Sequence, residues 1–355
     1  KSAQISRMND GRWAVVLGNG YNSKNERPVL LIQYLDGAKE LKKIVATGNQ
    51  TVTGVPANDV NVTGNGLSAP KPVDINSDGK IDVVYAGDLK GNLWKFDLTS
   101  VDDTQWGVAP FGASITPPIA PDTAPSTTSG GGVAGTPLFT AKGPGSLGSA
   151  RTIIQPITVA PTARPNDRKK TVGTGPTAKT VDVGGMMVVF GTGRNVTKAD
   201  ESDRNVQTLY SVLDNTRYKT VSTTLGSRLQ VHPGGGTCTP VPAADYAPVP
   251  AALGEGVATA KLVQRTITDL SGGDFGQVED ATTLDWAVNN GWYMDFPAVG
   301  ERLLKPIDLY DGSNILAVYS QVPAKGSDVD PNVESCESST VDEERQYRTF
   351  INMMD

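Results

Sequence analysis

The sequence predicts an all-β protein, a modified β-propeller of roughly seven blades with long inserted loops. Three observations predict it. Short runs rich in Val, Ile, Tyr and Phe recur along the chain, each bounded by Gly, Asn, Asp or Pro. A two-strand unit repeats. The composition is weighted toward turns, with 39 Gly and 24 Pro against 6 Met in 355 residues.

The strand-like runs lie at residues 13–17, 29–34, 81–85, 93–98, 152–159, 186–190, 208–213, 292–296 and 315–319. Helical periodicity is scarce, and a short helix is expected only within residues 269–286. The repeat is an apolar strand ending in Gly, then a turn or insertion, then a strand ending in Asp. It runs from Trp13 to Gly18 and on to Asp36, from Asp82 to Gly87 and on to Asp97, and from Met187 to Gly191 and on to Asp214. Such a hairpin is half of a four-stranded blade, and a blade takes about 40–50 residues. The units are unevenly spaced, so insertions must separate them. Residues 1–355 are expected to form a single propeller domain; a pair of β-sandwiches is the competing architecture. Residues 109–135, 161–176 and 237–256 are rich in Pro, Gly, Ala, Ser or Thr and are expected to be long loops.

The formal net charge is −6. The one basic cluster, Arg164, Arg168, Lys169 and Lys170, sits in a Pro-rich stretch and reads as a solvated loop, so a phosphate-binding surface for nucleic acid is unsupported. No apolar stretch is long enough to span a membrane. The first residues, Lys1-Ser-Ala-Gln-Ile, lack the apolar region of a signal peptide, so a secreted protein would be a mature form or a fragment. Cys238 and Cys336 lie in polar surroundings that suit a disulfide between loops in an oxidising compartment better than core thiols. There is no CxxC, which leaves a zinc ribbon unsupported.

The strongest chemical signal is Asp74-Ile-Asn-Ser-Asp-Gly-Lys-Ile-Asp82. Calcium takes about six to eight oxygens at about 2.3–2.6 Å. Asp74, Asn76 and Asp78 stand at loop positions one, three and five, so their oxygens face one centre. Gly79 permits the positive φ that turns the chain back. Lys80 would offer its backbone carbonyl with its ammonium pointing away, and Asp82 would close the set. Position twelve is Tyr85 instead of the bidentate Glu of an EF-hand, and a strand follows instead of a helix. The loop is therefore EF-like in a β setting. Its flexible all-protein oxygen cage suits calcium better than magnesium.

Weaker candidates have simpler explanations. Asp328, Asp330, Asn332 and Glu334 alternate oxygens but lack a turning Gly. Residues 199–204 read as a solvated acidic turn. His232, the single histidine, lies beside Pro233 and a Gly triplet, and no Gly-x-Ser-x-Gly elbow accompanies it. The glycine-rich turns at 17–21 and 191–194 complete neither nucleotide-binding motif. Asn61 and Asn195 begin sequons that are frequent by chance.

One stretch resembles a known family. Leu67-Ser-Ala-Pro, the acidic loop, and Val83-Val-Tyr-Ala-Gly-Asp-Leu-Lys-Gly-Asn-Leu-Trp-Lys-Phe-Asp97 are closely similar to the PilY/PilC proteins of bacterial type IV pili. Gly291-Trp-Tyr-Met-Asp-Phe-Pro297, Gly300-Glu-Arg302 and Cys336 follow in the family's order. The resemblance implies the C-terminal propeller of a longer, non-enzymatic protein. It would be extracytoplasmic, at the pilus tip, cell surface or outer membrane of a Gram-negative bacterium. It would support pilus biogenesis, twitching motility and adhesion, a role tied to virulence. Pilin or minor pilins, and host-surface receptors, would be its partners. The resemblance also implies calcium (Ca2+) held by Asp74, Asn76, Asp78, Lys80 through its carbonyl, and Asp82, controlling pilus extension against retraction. Residues 337–345 depart from the family, being acidic where relatives are Gly-rich. The competing functions are a quinoprotein-like propeller dehydrogenase, loosely echoed by Asn92-Leu-Trp-Lys-Phe, and a calcium-dependent lectin.

Overall fold

Nearly continuous apolar runs such as 186–190 can be buried only where a strand is covered on both faces. The computed structural model covers them in that way. It describes residues 5–24, 26–46, 64–109, 111, 136–223, 226–231, 250–269, 276–279, 283–310, 312–324 and 344–355.

The first sheet is a meander of Leu41–Val45, Val29–Tyr34, Trp13–Gly18 and Ile5–Met8, with Lys80–Ile81 added parallel to Ile5–Met8. In the second, Phe139–Thr140, Asn92–Asp97, Val83–Gly87 and Lys71–Val73 lie side by side, and Gly107–Val108 also pairs with Asn92–Asp97. The third runs Thr162–Pro165, Met186–Gly191, Thr208–Asp214, Gly291–Asp295, Val263–Asp269 and Gly276–Glu279. The fourth places Ile315–Val322 between Arg345–Asn352 on one side and Arg302–Leu303 and Asp308–Leu309 on the other.

Side chains alternate across each strand, so one strand serves two cores. Val84, Ala86, Trp94 and Phe96 of the second sheet pack with Ala14, Val16, Leu30 and Ile32 of the first. From the same strands, Val83, Tyr85 and Leu93 pack on Met186, Val188, Phe190 and Tyr210 of the third. Met187 and Val189 face the other way, onto Leu303, Leu316 and Val318 of the fourth. Sheets stacked face to face in chain order are the arrangement of a propeller, and the sandwich alternative falls. Residues of all four sheets line a cavity of about 690 Å³, among them Leu17, Pro72, Thr162 and Asp308.

The repeated glycines stand where successive sheets meet. A Cβ on Gly18 would lie 2.0 Å from the Ser68 carbonyl oxygen, one on Gly87 would lie 2.2 Å from an Ile157 methyl, and one on Gly191 would lie 2.5 Å from a Leu303 methyl. Each glycine ends a strand of one sheet and receives chain that enters the next. Backbone hydrogen bonds Gly20 N to Leu67 O, Ile157 N to Asp88 O and Leu303 N to Thr192 O stitch the same junctions at 2.9–3.0 Å.

Three expectations are corrected. Four multistranded sheets, not roughly seven blades, are present among the described residues. Dividing chain length by blade length overcounted, because two-stranded ribbons take up chain outside the sheets: Lys142–Pro144 with Arg151–Ile154, Lys169–Val172 with Lys179–Asp182, and Tyr218–Thr223 with Gly226–Val231. The stretch 161–176 is not one loop. Thr162–Pro165 forms an edge strand of the third sheet, where Pro165 needs no inward N–H, and Lys169–Val172 forms a ribbon whose Lys169 pairs with Asp182 at 3.1 Å. No helix occupies the described part of 269–286. Gly276–Glu279 is a strand, and Asp285 caps a turn by accepting from Val288 and Asn289.

Candidate metal-binding loop

The acidic loop hangs between two sheets. It leaves the second sheet at Val73, contributes Lys80–Ile81 to the edge of the first, and re-enters the second at Val83. Its winding is set by short polar side chains that bond nearby amides. Asp74 Oδ1 accepts from Asp78 N at 3.2 Å and Oδ2 from Gly79 N at 2.7 Å. Asn76 Oδ1 accepts from Asp78 N at 3.1 Å, and Asp78 Oδ1 from Lys80 N at 3.0 Å. Ser77 and Gly79 both take positive φ, 60° and 84°. Gly79 was expected to turn the chain; the left-handed Ser77 was not.

Asn76, Asp78 and Gly79 are exposed, whereas Asp82 is buried at the loop's root. Asp82 N donates to Val73 O, and Asp82 O accepts from Leu98 N. Its carboxylate accepts from Ile75 N at 2.8 Å and from Asn9 Nδ2 at 3.1 Å. Burial pushes this carboxyl up to about 6; the Ile75 and Asn9 bonds oppose the rise, and the charges of Asp74 and Asp78 add to it.

The Lys80 ammonium does not point away, as the sequence had suggested. It pairs with Asp78 Oδ2 at 3.0 Å. Together with the Lys80 amide it holds the Asp78 carboxyl below the ordinary range, against the cost of partial burial. Among the described residues, no three His, Cys, Asp or Glu side chains converge into a cluster with metal-ligand geometry. The donor chemistry of the loop nevertheless fits a hard cation. Oxygens stand at alternate positions, the backbone is already wound by Asx turns, and Asp74 and Asp78 crowd negative charge onto Asp82. The Lys80 ammonium occupies Asp78 Oδ2, so it stands as a competitor to a cation for that oxygen.

The neighbouring motif is a structural hub. Asp88 is fully buried. One of its carboxylate oxygens accepts from Lys90 N and Asn92 N, the other from Asn65 Nδ2, Asn92 Nδ2 and, at 2.7 Å, Trp94 Nε1. The tryptophan that loosely echoes quinoproteins is thus spent on an internal carboxylate.

A family model described as the PilY1 β-propeller domain matches residues 1–232. The chain belongs to this family. Among curated proteins, it is 37% identical over 213 residues to the type IV pilus biogenesis factor PilY1 of Pseudomonas aeruginosa strain PAO1, covering 59% of this chain and 15% of that protein. A PilY1 homologue of Xylella fastidiosa is 32% identical over 210 residues, covering 59% of this chain and 12% of that one. These matches therefore span only a small part of the length of these relatives. The crystal structure of the Pseudomonas aeruginosa PilY1 C-terminal domain aligns with a TM-score of 0.56 at 23% identity, covering 99% of this chain and 58% of that one, and shares the fold.

The remaining predicted features fall as follows. His232, Cys238, Cys336, Asn61 and the 328–334 acidic group lie outside the described residues. Asn195 is exposed. The 199–204 turn is more than a solvated one: Asp200 is buried and accepts from Arg194 Nε, Val196 N and Thr197 N at 2.8–2.9 Å. Gly193 uses its φ of 137° to lie against Arg302. Among the described residues no helix is long and apolar enough to cross a membrane. Sequence reasoning missed Asn9, which reaches the loop from 73 positions away. Only the turn-forming Asn9-Asp10-Gly11 marks it locally.

Proposed function

We propose that this chain is the propeller region of a non-enzymatic, calcium-binding protein of type IV pili, supporting pilus biogenesis, twitching motility and surface adhesion. It would act outside the cytoplasm, at the pilus tip or surface of a Gram-negative cell, with pilin or minor pilins and host-surface receptors as partners. Family membership supports the pilus reading, since the curated relatives are named as pilus biogenesis factors. The observation that carries the calcium reading is the Asx-wound loop, with alternate oxygens from Asp74 to Asp82 and left-handed Ser77 and Gly79.

Bound calcium would supply a fixed double positive charge that the oxygens of Asp74, Asn76, Asp78, Asp82 and the Lys80 carbonyl can share. The chain's own residues do the rest. Val73 and Val83 anchor both ends of the loop in one sheet, and the Asp82 root tolerates burial because Ile75 and Asn9 donate to it. Loop order is linked to ion concentration by mass action, worth about 2.7 kcal/mol at a hundred times Kd.

Asp78→Ala tests the site. Titration calorimetry should show calcium binding lost while the circular dichroism of the propeller is unchanged; wild-type affinity in that variant sinks the assignment. In cells, the same substitution in the full-length protein should abolish twitching motility while leaving the protein on the pilus.

A further inference from the structure

We infer that Asn9 is a positioning residue for the acidic loop, and that it makes the loop a cation-tightened clasp between the first and second sheets. The inference rests on the calcium reading above. Asn9 is buried, and the two hydrogens of its amide nitrogen face three acceptors, one hydrogen being shared: Ile81 O at 3.0 Å, Asp82 Oδ1 at 3.1 Å and Leu98 O at 3.0 Å. All three lie on the loop's exit or in the second sheet's flank, while Asn9 directly follows the strand Ile5–Met8 of the first sheet. That strand meets the loop directly, but by only two residue pairs, Arg7 with Lys80 and Met8 with Ile81 in parallel register. A parallel contact this short is weak by itself. Asn9 is what joins it to the carboxylate at the root of the loop.

Partners behind metal-ligating carboxylates orient them, and losing one lowers affinity by about 10–100-fold. Asn9 stands in that relation to Asp82. Coupling is reciprocal. If Asn9 orients Asp82 for a cation, a cation that fixes Asp82 also fixes Asn9, and with it the end of Ile5–Met8. Occupancy of an exposed loop is thereby read out in the first strand of the neighbouring sheet. A second link at the same turn does not touch the loop: Arg12 bonds Asp10 and Asp103, each at 2.8 Å. The turn can therefore stay folded when Asn9 is changed.

Hydrogen exchange of the wild-type chain with calcium and with chelator provides the first test. Calcium should slow exchange in Ile5–Met8 and Lys80–Ile81 by about tenfold or more, and leave Thr208–Asp214 of the third sheet unchanged. Asn9→Ala should weaken calcium binding by about tenfold and erase the calcium-dependent protection of Ile5–Met8. If the wild type binds calcium but Ile5–Met8 exchanges equally with and without it, the clasp is overturned and the calcium reading stands. Wild-type calcium affinity in Asn9→Ala overturns the positioning role. If the wild type binds no calcium in calorimetry, both readings fall together.

Discussion

Lys95 and Asp214 form an ion pair at 2.5 Å across the junction of the second and third sheets, with each side chain only 1% exposed. The Tyr85 hydroxyl donates to the same carboxylate at 2.6 Å, and the Lys95 ammonium lies 5.3 Å from the centre of the Tyr218 ring. Burial by itself would raise the Asp214 carboxyl; the lysine charge and these hydrogen bonds outweigh it and hold it below its ordinary value. Removing one partner leaves an uncompensated buried charge, which costs about 3–5 kcal/mol, whereas replacing both with apolar groups is often neutral. Lys95→Met should therefore lower the urea midpoint sharply. Lys95→Met with Asp214→Leu should recover part of the loss, the remainder reflecting the Tyr85 hydroxyl left without its acceptor, as a double-mutant cycle by chemical denaturation would measure.

Arg302 closes the next junction by a different means. Its guanidinium is buried and donates to the carbonyls of Gly300, Arg194, Asp200 and Asp203 at 2.7–3.0 Å. Burial pulls its pKa down from the usual value. A lysine is a point donor on a flexible stem and cannot span four carbonyls. Arg302→Lys should cost about 2 kcal/mol or more, from carbonyls left unsatisfied. A urea midpoint lowered at unchanged slope would show it.

Gly18 is required for close approach. Its φ is not the reason, because a Cβ there would lie 2.0 Å from a backbone oxygen, and backbone cannot rotate away. Gly18→Ala should destabilise by about 1–3 kcal/mol or more through overpacking. Gly11→Ala offers the contrast: it has φ of 92° and nothing within 4 Å of its Cβ, so its penalty is confined to backbone strain.

Lys80 competes for Asp78. Exposed pairs of this kind are worth about 0.2–1 kcal/mol. Lys80→Met removes the ammonium and keeps the backbone carbonyl. Calcium affinity measured by calorimetry should rise by a factor of about 1.4–5, the equivalent of that energy, and an unchanged affinity would mean that the pair is no competitor.

Much of the fold was legible because it is written in short-range pattern. Both hairpins of the second and third sheets were visible in runs ending in Gly and Asp, and the structure pairs Val83 with Asp97 and Met186 with Asp214. The same pattern misled on blade number, because ribbons are made of the same residue types as blades. Gly300-Glu-Arg302 was visible only as a family likeness. Its physical content is an arginine spread over four carbonyls and a buried Glu301 that accepts from Ser320 Oγ and Ala298 N; Gly300 and Ala298 are local, but Arg194, Asp200, Asp203 and Ser320 are far from the motif in sequence.

By itself the sequence determined the all-β class, the apolar strands, the turn at Gly79 and the spacing of oxygens from Asp74 to Asp82, since each depends on residues within one turn or one strand. Only the tertiary structure decided that the loop is rooted in Asp82, that Lys80 folds onto Asp78, and that Asn9 of a different sheet grips the root. The Asn9 contact joins segments 73 positions apart, and packing of whole sheets, with the repeated glycines allowing them to touch, is what brings them together; the Lys80–Asp78 pair is local, but residue type and spacing do not set the rotamer that makes it.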